Sequence, residues 1–193
     1  MTFSQLTPTA VDLPNGVTLN HVRGGQGYPL IFIHGAMGDW RAWAAQWEAF
    51  TAHYDCISYS RRYSFPNPNT MPSPDHGALV EAEDLRLFMD ALGIERAILV
   101  GSSYGGFTAL ALAMDAPDRV AALVAVEPPM MRYAEMDEAG AEVAAAFRAT
   151  TVLPSRAAFE RGDDAEGTRI LTEGIVARGG QRRTPPPEVM KGR

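Results

Sequence analysis

A chain of 193 residues, 46% hydrophobic and 21% charged, has the make-up of an ordinary globular protein with room for one compact domain and a small addition. Its net charge of -6 gives no footprint for nucleic acid or an anionic membrane, and Arg182-Arg183 is too short to supply one. No apolar run could span a bilayer, no signal-peptide pattern opens the chain, and the lone Cys56 excludes an internal disulfide, so a reducing cytoplasm is the expected setting.

Thr9–Leu13 and Val17–Val22 flank Pro14-Asn15-Gly16 and read as a β-hairpin on an Asn-Gly turn. The short apolar run Pro29–Ile33 reads as a buried parallel strand ending in His34-Gly35-Ala36-Met37-Gly38. Asp39 is placed to cap a helix in which Trp40, Trp43, Trp47 and Phe50 share one face, a spacing that favours packing on a sheet over a ligand box. Cys56–Ser60 is the next strand, followed by Arg61 and Arg62, a pair expected to hold the adjoining loop through salt bridges and carbonyl contacts rather than to bind an anion. Ser64–His76 is a polar, proline-rich loop. Ala78–Leu92 is a helix with Leu85, Phe88, Met89 and Leu92 buried, Glu81, Glu83 and Asp90 on the wet face, Asp84 solvated, and Gly93 as its stop.

Ala97–Val100 is an apolar run that ends in Gly101-Ser102-Ser103-Tyr104-Gly105, and Phe107, Leu110, Ala111 and Met114 follow at helical spacing. A strand, a Gly-x-Ser-x-Gly turn and a helix together form a nucleophile elbow with Ser103 at its tip. A serine hydroxyl needs a base to take its proton and a site for the developing oxyanion. The helix N-terminus favours negative charge, and the Tyr104 N–H is one oxyanion donor. Ala121–Val126 is a further strand ending in Glu127-Pro128-Pro129.

The elbow, the preceding His34-Gly35 turn and their order along the chain resemble the α/β-hydrolase family, in its capped, serine-nucleophile bacterial form. That resemblance implies an α/β fold with a mostly parallel, doubly wound sheet over residues 1–129 and a helical cap segment over 130–193. It makes the Ala36 N–H the second oxyanion donor and His34 a loop-ordering residue rather than a base. Glu127 is a possible triad acid, its alternative role being to anchor the hinge near Arg132 or Arg62. Ala134–Thr150, Ser155–Arg161 and Ala165–Arg178 are the helices expected in the cap, with Gly179-Gly180 and Pro185-Pro186-Pro187 as breaks.

The family's triad runs serine, acid, histidine along the chain, yet His21, His34, His53 and His76 all precede Ser103. Nothing in the spacing of His76 requires it to reach the serine, and Glu188–Arg193 carries no strand pattern. The expectation is a chain truncated before its last strands, with the strand at Ala121–Val126 left as an unpaired edge and the isolated chain poorly soluble or dimeric. Loss of the histidine costs on the order of a million-fold in turnover, about 8 kcal/mol, so the chain alone is expected to be nearly inactive. The function implied is acyl transfer on an ester or similar small carboxylic substrate. A serine in place of an elbow aspartate argues against dehalogenase or epoxide-hydrolase chemistry. A non-catalytic ligand-binding protein on the same fold, or a fragment without function, are the alternatives. No cofactor or metal is called for, and neither substrate identity nor oligomeric state can be read.

Overall fold

A computed structural model describes residues 2–70, 76–178 and 181–182 of the chain. Two compact units divide at Pro129 and Met130. The first unit carries one six-stranded sheet in the order β1-β2-β4-β3-β5-β6, where β1 is Thr9–Asp12, β2 Thr18–Gly24, β3 Tyr28–Ile33, β4 Tyr54–Tyr59, β5 Ala97–Ser102 and β6 Val120–Val126. The hairpin strands β1 and β2 pair antiparallel, as do β2 and β4, while β4, β3, β5 and β6 run parallel. The parallel part needs helical crossovers, supplied by α1 (Ala44–Thr51), α2 (Ala78–Ala91) and α3 (Tyr104–Asp115).

Side-chain alternation sorts the core onto the two faces of the sheet. From β3, Ile31 and Ile33 join Ile57, Tyr59 and Leu99 under Leu85, Phe88 and Met89 of α2 and Ala109 and Leu112 of α3. Leu30 and Phe32 point the other way, onto Cys56, Val100, Trp40 and Trp47. Fully burying such a side chain contributes about 1.5–3 kcal/mol, which is why continuous apolar runs form the central strands. At the sheet edge, Leu123 of β6 packs toward the first cluster, whereas Val124 and Val126 are exposed.

Several local expectations are corrected. The tryptophans do not share one helix: Asp39 caps a 3-10 turn over Trp40–Trp43 by accepting from the Arg41 N–H, and α1 begins only at Ala44. The cluster survives because Phe32 stacks on Trp43 at 4.9 Å and meets Phe50 edge-on at 5.5 Å. In α2, Glu81 and Asp84 are buried rather than wet. Asp84 takes a two-pronged ion pair from Arg62 and a hydrogen bond from Asn15 Nδ2 at 2.8 Å.

The second unit is helical: α4 (Met131–Ala134), α5 (Glu138–Phe147), α6 (Leu153–Glu160) and α7 (Asp164–Val176). The single helix expected over Ala134–Thr150 is broken, with Asp137 capping α5 through the Gly140 N–H and a π-turn spanning Arg148–Val152. The last helix stops at Val176, where two-residue strands β7 (Ala177–Arg178) and β8 (Gln181–Arg182) pair antiparallel. Pro185-Pro186-Pro187 and Glu188–Arg193 lie outside the described residues.

The contrast between buried and surface ion pairs is measurable. Arg62→Ala strands the Asp84 carboxylate, which is 4% exposed, and is expected to cost about 3 kcal/mol. Arg86→Ala, which breaks exposed pairs to Glu83 and Asp90 on α2, is expected to cost under about 1 kcal/mol. Urea denaturation of the two variants checks this.

Candidate functional site

Ser103 sits between β5 and α3 with φ +50° and ψ -121°, a conformation L-residues avoid. Only one other non-glycine residue among those described has a positive φ, and it is Glu127, at +48°. The two are neighbours in space. Ser102 pairs with Val126 across β5 and β6, and the Ser103 N–H donates to the Val126 carbonyl at 2.8 Å. Two strained backbones thus meet at one corner, at the carboxyl ends of adjacent strands.

The glycines of the elbow are there for clearance. A methyl on Gly101 would fall 2.4 Å from the Gly105 carbonyl oxygen, and one on Gly105 would fall 2.3 Å from that of Ile33 and 2.5 Å from that of His34. The start of α3 therefore lies directly on the end of β3, which brings the His34-Gly35 turn against the elbow. A methyl on Gly35 would sit 3.3 Å from Ser103 Cβ and 3.9 Å from its Oγ. No hydrogen bond to Ser103 Oγ is formed among the described residues. The first helical bond of α3 runs from the Phe107 N–H to the Ser103 carbonyl, so the Tyr104 N–H belongs to the unpaired first turn.

The Gly35-Ala36 peptide is held from its carbonyl side. Gly35 O accepts from the Gly38 N–H at 3.2 Å, from His34 Nδ1 at 2.7 Å and from Arg61 Nη2 at 3.3 Å. The peptide is trans, so the Ala36 N–H points away from these three donors. Ala36 and Tyr104 line a single cavity of about 250 Å³ together with Arg61, Tyr63, Ser64, His76 and Glu81.

His34 is 1% exposed and doubly committed. Its Nε2 accepts from the Arg61 N–H at 2.9 Å, so the proton sits on Nδ1 and goes to Gly35 O. Burial, then the Arg61 charge, lowers its pKa to about 4. His21 is buried on β2 with its ring edge-on to Phe88, and His53 is exposed just before β4, at the opposite end of the parallel strands from the elbow. His76 is the one histidine on the Ala36–Tyr104 cavity. Its Nε2 lies 2.8 Å from Glu81 Oε1, and its ring meets Tyr63 edge-on. The other oxygen of Glu81 is ion-paired with Arg61, whose guanidinium lies 4.8 Å from the centre of the Tyr104 ring. Burial pushes the Cys56 thiol up to about 11, so it stays protonated near neutral pH.

Arg62 is committed to Asp84, Glu127 has an interaction of its own, and the side chain of Arg132 lies outside the described residues. Glu81 and His76 were not expected around Arg61. The signal was available: Glu81 and Asp84 fall at i-4 and i-1 from Leu85, on the buried stripe of α2, opposite two arginines at the end of β4. Among the described residues no group of histidine, cysteine and carboxylate side chains could hold a metal ion.

Residues 28–159, more than half of the chain, match the family model of the alpha/beta hydrolase fold. The chain belongs to that family. It is 37% identical over 97 residues to RutD of Caulobacter vibrioides, named as a carbamate hydrolase, a match covering 50% of this chain and 36% of the relative. It is 32% identical over 126 residues to a fluoroacetate dehalogenase from Burkholderia, covering 63% and 41%. Among solved structures, the epoxide hydrolase VrEH1 from Vigna radiata superposes with a TM-score of 0.60 at 20% identity, over 65% of this chain and 39% of that one. The matches thus span about two fifths of the relatives' length. The homologues are hydrolases, and no described helix is long and apolar enough to cross a membrane.

The depressed pKa of His34 has a defined sign. Protonation favours the unfolded chain, so the neutral imidazole supports the fold above pH 6.5, and that support is lost as pH falls from 6.5 toward 4. The loss is about 3 kcal/mol. The His34 ring resonances are expected to titrate near pH 4, and His34→Gln should flatten the dependence of unfolding free energy on pH across that window.

Proposed function

We propose that the chain carries the nucleophile and oxyanion site of an acyl-transfer hydrolase, with Ser103 attacking the carbonyl of an ester or similar small carboxylic substrate. The observation that carries this reading is the strained Ser103, held at the end of β5 within van der Waals reach of Gly35. Ala36 and Tyr104 line one cavity beside the Ser103 turn, and their N–H groups are assigned as the two donors for the tetrahedral oxyanion. Removing one such donor in a serine hydrolase typically costs about 10²–10³ in turnover.

The identity of the nucleophile selects among the relatives' chemistries. A carboxylate that displaces halide or opens an epoxide forms an ester, which water can cleave at its carbonyl. A serine making the same attack on an alkyl carbon would form an ether, with no carbonyl for water to enter, and turnover would end. Serine attack on an ester or carbamate forms an acyl-enzyme that water can resolve. The relative named as a carbamate hydrolase therefore fits Ser103, and the dehalogenase and epoxide hydrolase do not.

Glu127 is proposed as the acid, on the strength of its strained position beside Ser103. The base is proposed to be a histidine outside these 193 residues. His34 has both ring nitrogens engaged, His21 is buried, His53 lies at the far end of the sheet, and His76, on the cavity, has its Nε2 on Glu81 rather than on Ser103. Without a base, deacylation should stall while acylation by an activated ester proceeds on oxyanion stabilisation alone, which retains about 10³-fold or more over water.

Treatment with p-nitrophenyl acetate tests this. The expected result is one acetyl group per chain, mapped to Ser103 by mass spectrometry, with a burst of nitrophenolate and little turnover, all absent in Ser103→Ala. Acetylation elsewhere, or labelling unchanged in Ser103→Ala, would overturn the nucleophile. Sustained turnover that depends on Ser103 would place the base inside the chain.

A further inference from the structure

We infer that Arg61, clamped by Glu81, is a positioning residue for both oxyanion donors. This inference rests on Ser103 being the nucleophile. Arg61 is 6% exposed and touches both halves of the site. Its Nη2 reaches the Gly35 carbonyl, on the peptide whose N–H belongs to Ala36. Its guanidinium also covers the ring of Tyr104, the residue that carries the other donor. Its backbone N–H fixes the tautomer in which His34 grips the same carbonyl.

The pair with Glu81 ties the loop after β4 to α2, but tying the loop does not by itself call for a guanidinium against Gly35 O and the Tyr104 ring. It is paired with Glu81 and buried, and its Nε is buried without a hydrogen-bond partner among the described residues, which carries a desolvation cost. Buried ion pairs of this kind are commonly matched or bettered in stability by apolar residues. What an apolar pair could not do is hold a peptide carbonyl and an aromatic face at once. His76 donates to the second oxygen of Glu81 from the rim of the cavity, so the carboxylate that aims Arg61 is itself held at both ends.

The effect works through orientation, so it should appear in the rate of acylation and not in affinity. Arg61→Met alone strands the Glu81 charge and risks unfolding, so the decisive variant is Arg61→Met with Glu81→Leu, which removes both charges together. The expected result is a cooperatively folded chain whose maximal rate of Ser103 acetylation by p-nitrophenyl acetate falls roughly tenfold or more, with half-saturation little changed. Arg61→Lys, with Glu81 retained, should recover part of the rate. A residual dipolar coupling for the Ala36 N–H gives a readout independent of chemistry and should change in the double variant. A folded double variant with the parent's acylation rate and an unchanged Ala36 coupling would overturn the inference. Failure of the parent chain to acetylate at Ser103 would instead remove the nucleophile, leaving the coupling to decide whether Arg61 orients the loop.

Discussion

The site depends on one steric constraint, the contact of two backbones with no side chain between them. The first turn of α3 rests on the carbonyls of Ile33 and His34, and Gly105 has no room for a methyl. The same is true of Gly101 against Gly105. Because these segments touch, the chain must turn sharply at Ser103 and adopt a positive φ there. The strain, of order 1–3 kcal/mol per residue, is sustained by the packed strands on either side. The parallel sheet is what allows it, since β3 and β5 are hydrogen-bonded neighbours whose carboxyl ends emerge together.

Electrostatics then set the loops around that contact. Two consecutive arginines leave the end of β4, and each finds a buried carboxylate on α2, Arg61 with Glu81 and Arg62 with Asp84. The pairs tie the loop after β4 to the helix that covers one face of the sheet. Arg61 then reaches across to the His34-Gly35 turn, where a neutral histidine with a fixed tautomer holds the loop carbonyl. The polar groups beside the elbow are committed to one another in a chain that runs from α2 to the His34-Gly35 turn.

Much of this was legible in the residues. The alternation of hairpin, apolar strands and amphipathic helices implied the sheet, and Gly101 to Gly105 implied the elbow, because both depend on local patterns that no tertiary contact overrides. The cap at Asp39 was legible but the end of the 3-10 turn at Trp43 was not, and the break before Asp137 was missed because capping by Asp137 competes locally with helix propagation. The buried roles of Glu81 and Asp84 were missed because charge on a helix is usually solvated. Their burial depends on partners distant in the sequence or outside the helix, Arg61 and His76 for Glu81 and Arg62 and Asn15 for Asp84. The strain at Glu127 has no sequence signal either, because it arises where β6 ends beside Ser103.

The most direct test is a crystal structure of the chain after reaction with a fluorophosphonate. The expected result is a phosphonyl group on Ser103 Oγ with one oxygen within about 2.7–3.1 Å of the Ala36 and Tyr104 nitrogens. An adduct on another residue, or a phosphonyl oxygen turned away from both nitrogens, would contradict the assignment of this corner as a nucleophile and its oxyanion hole.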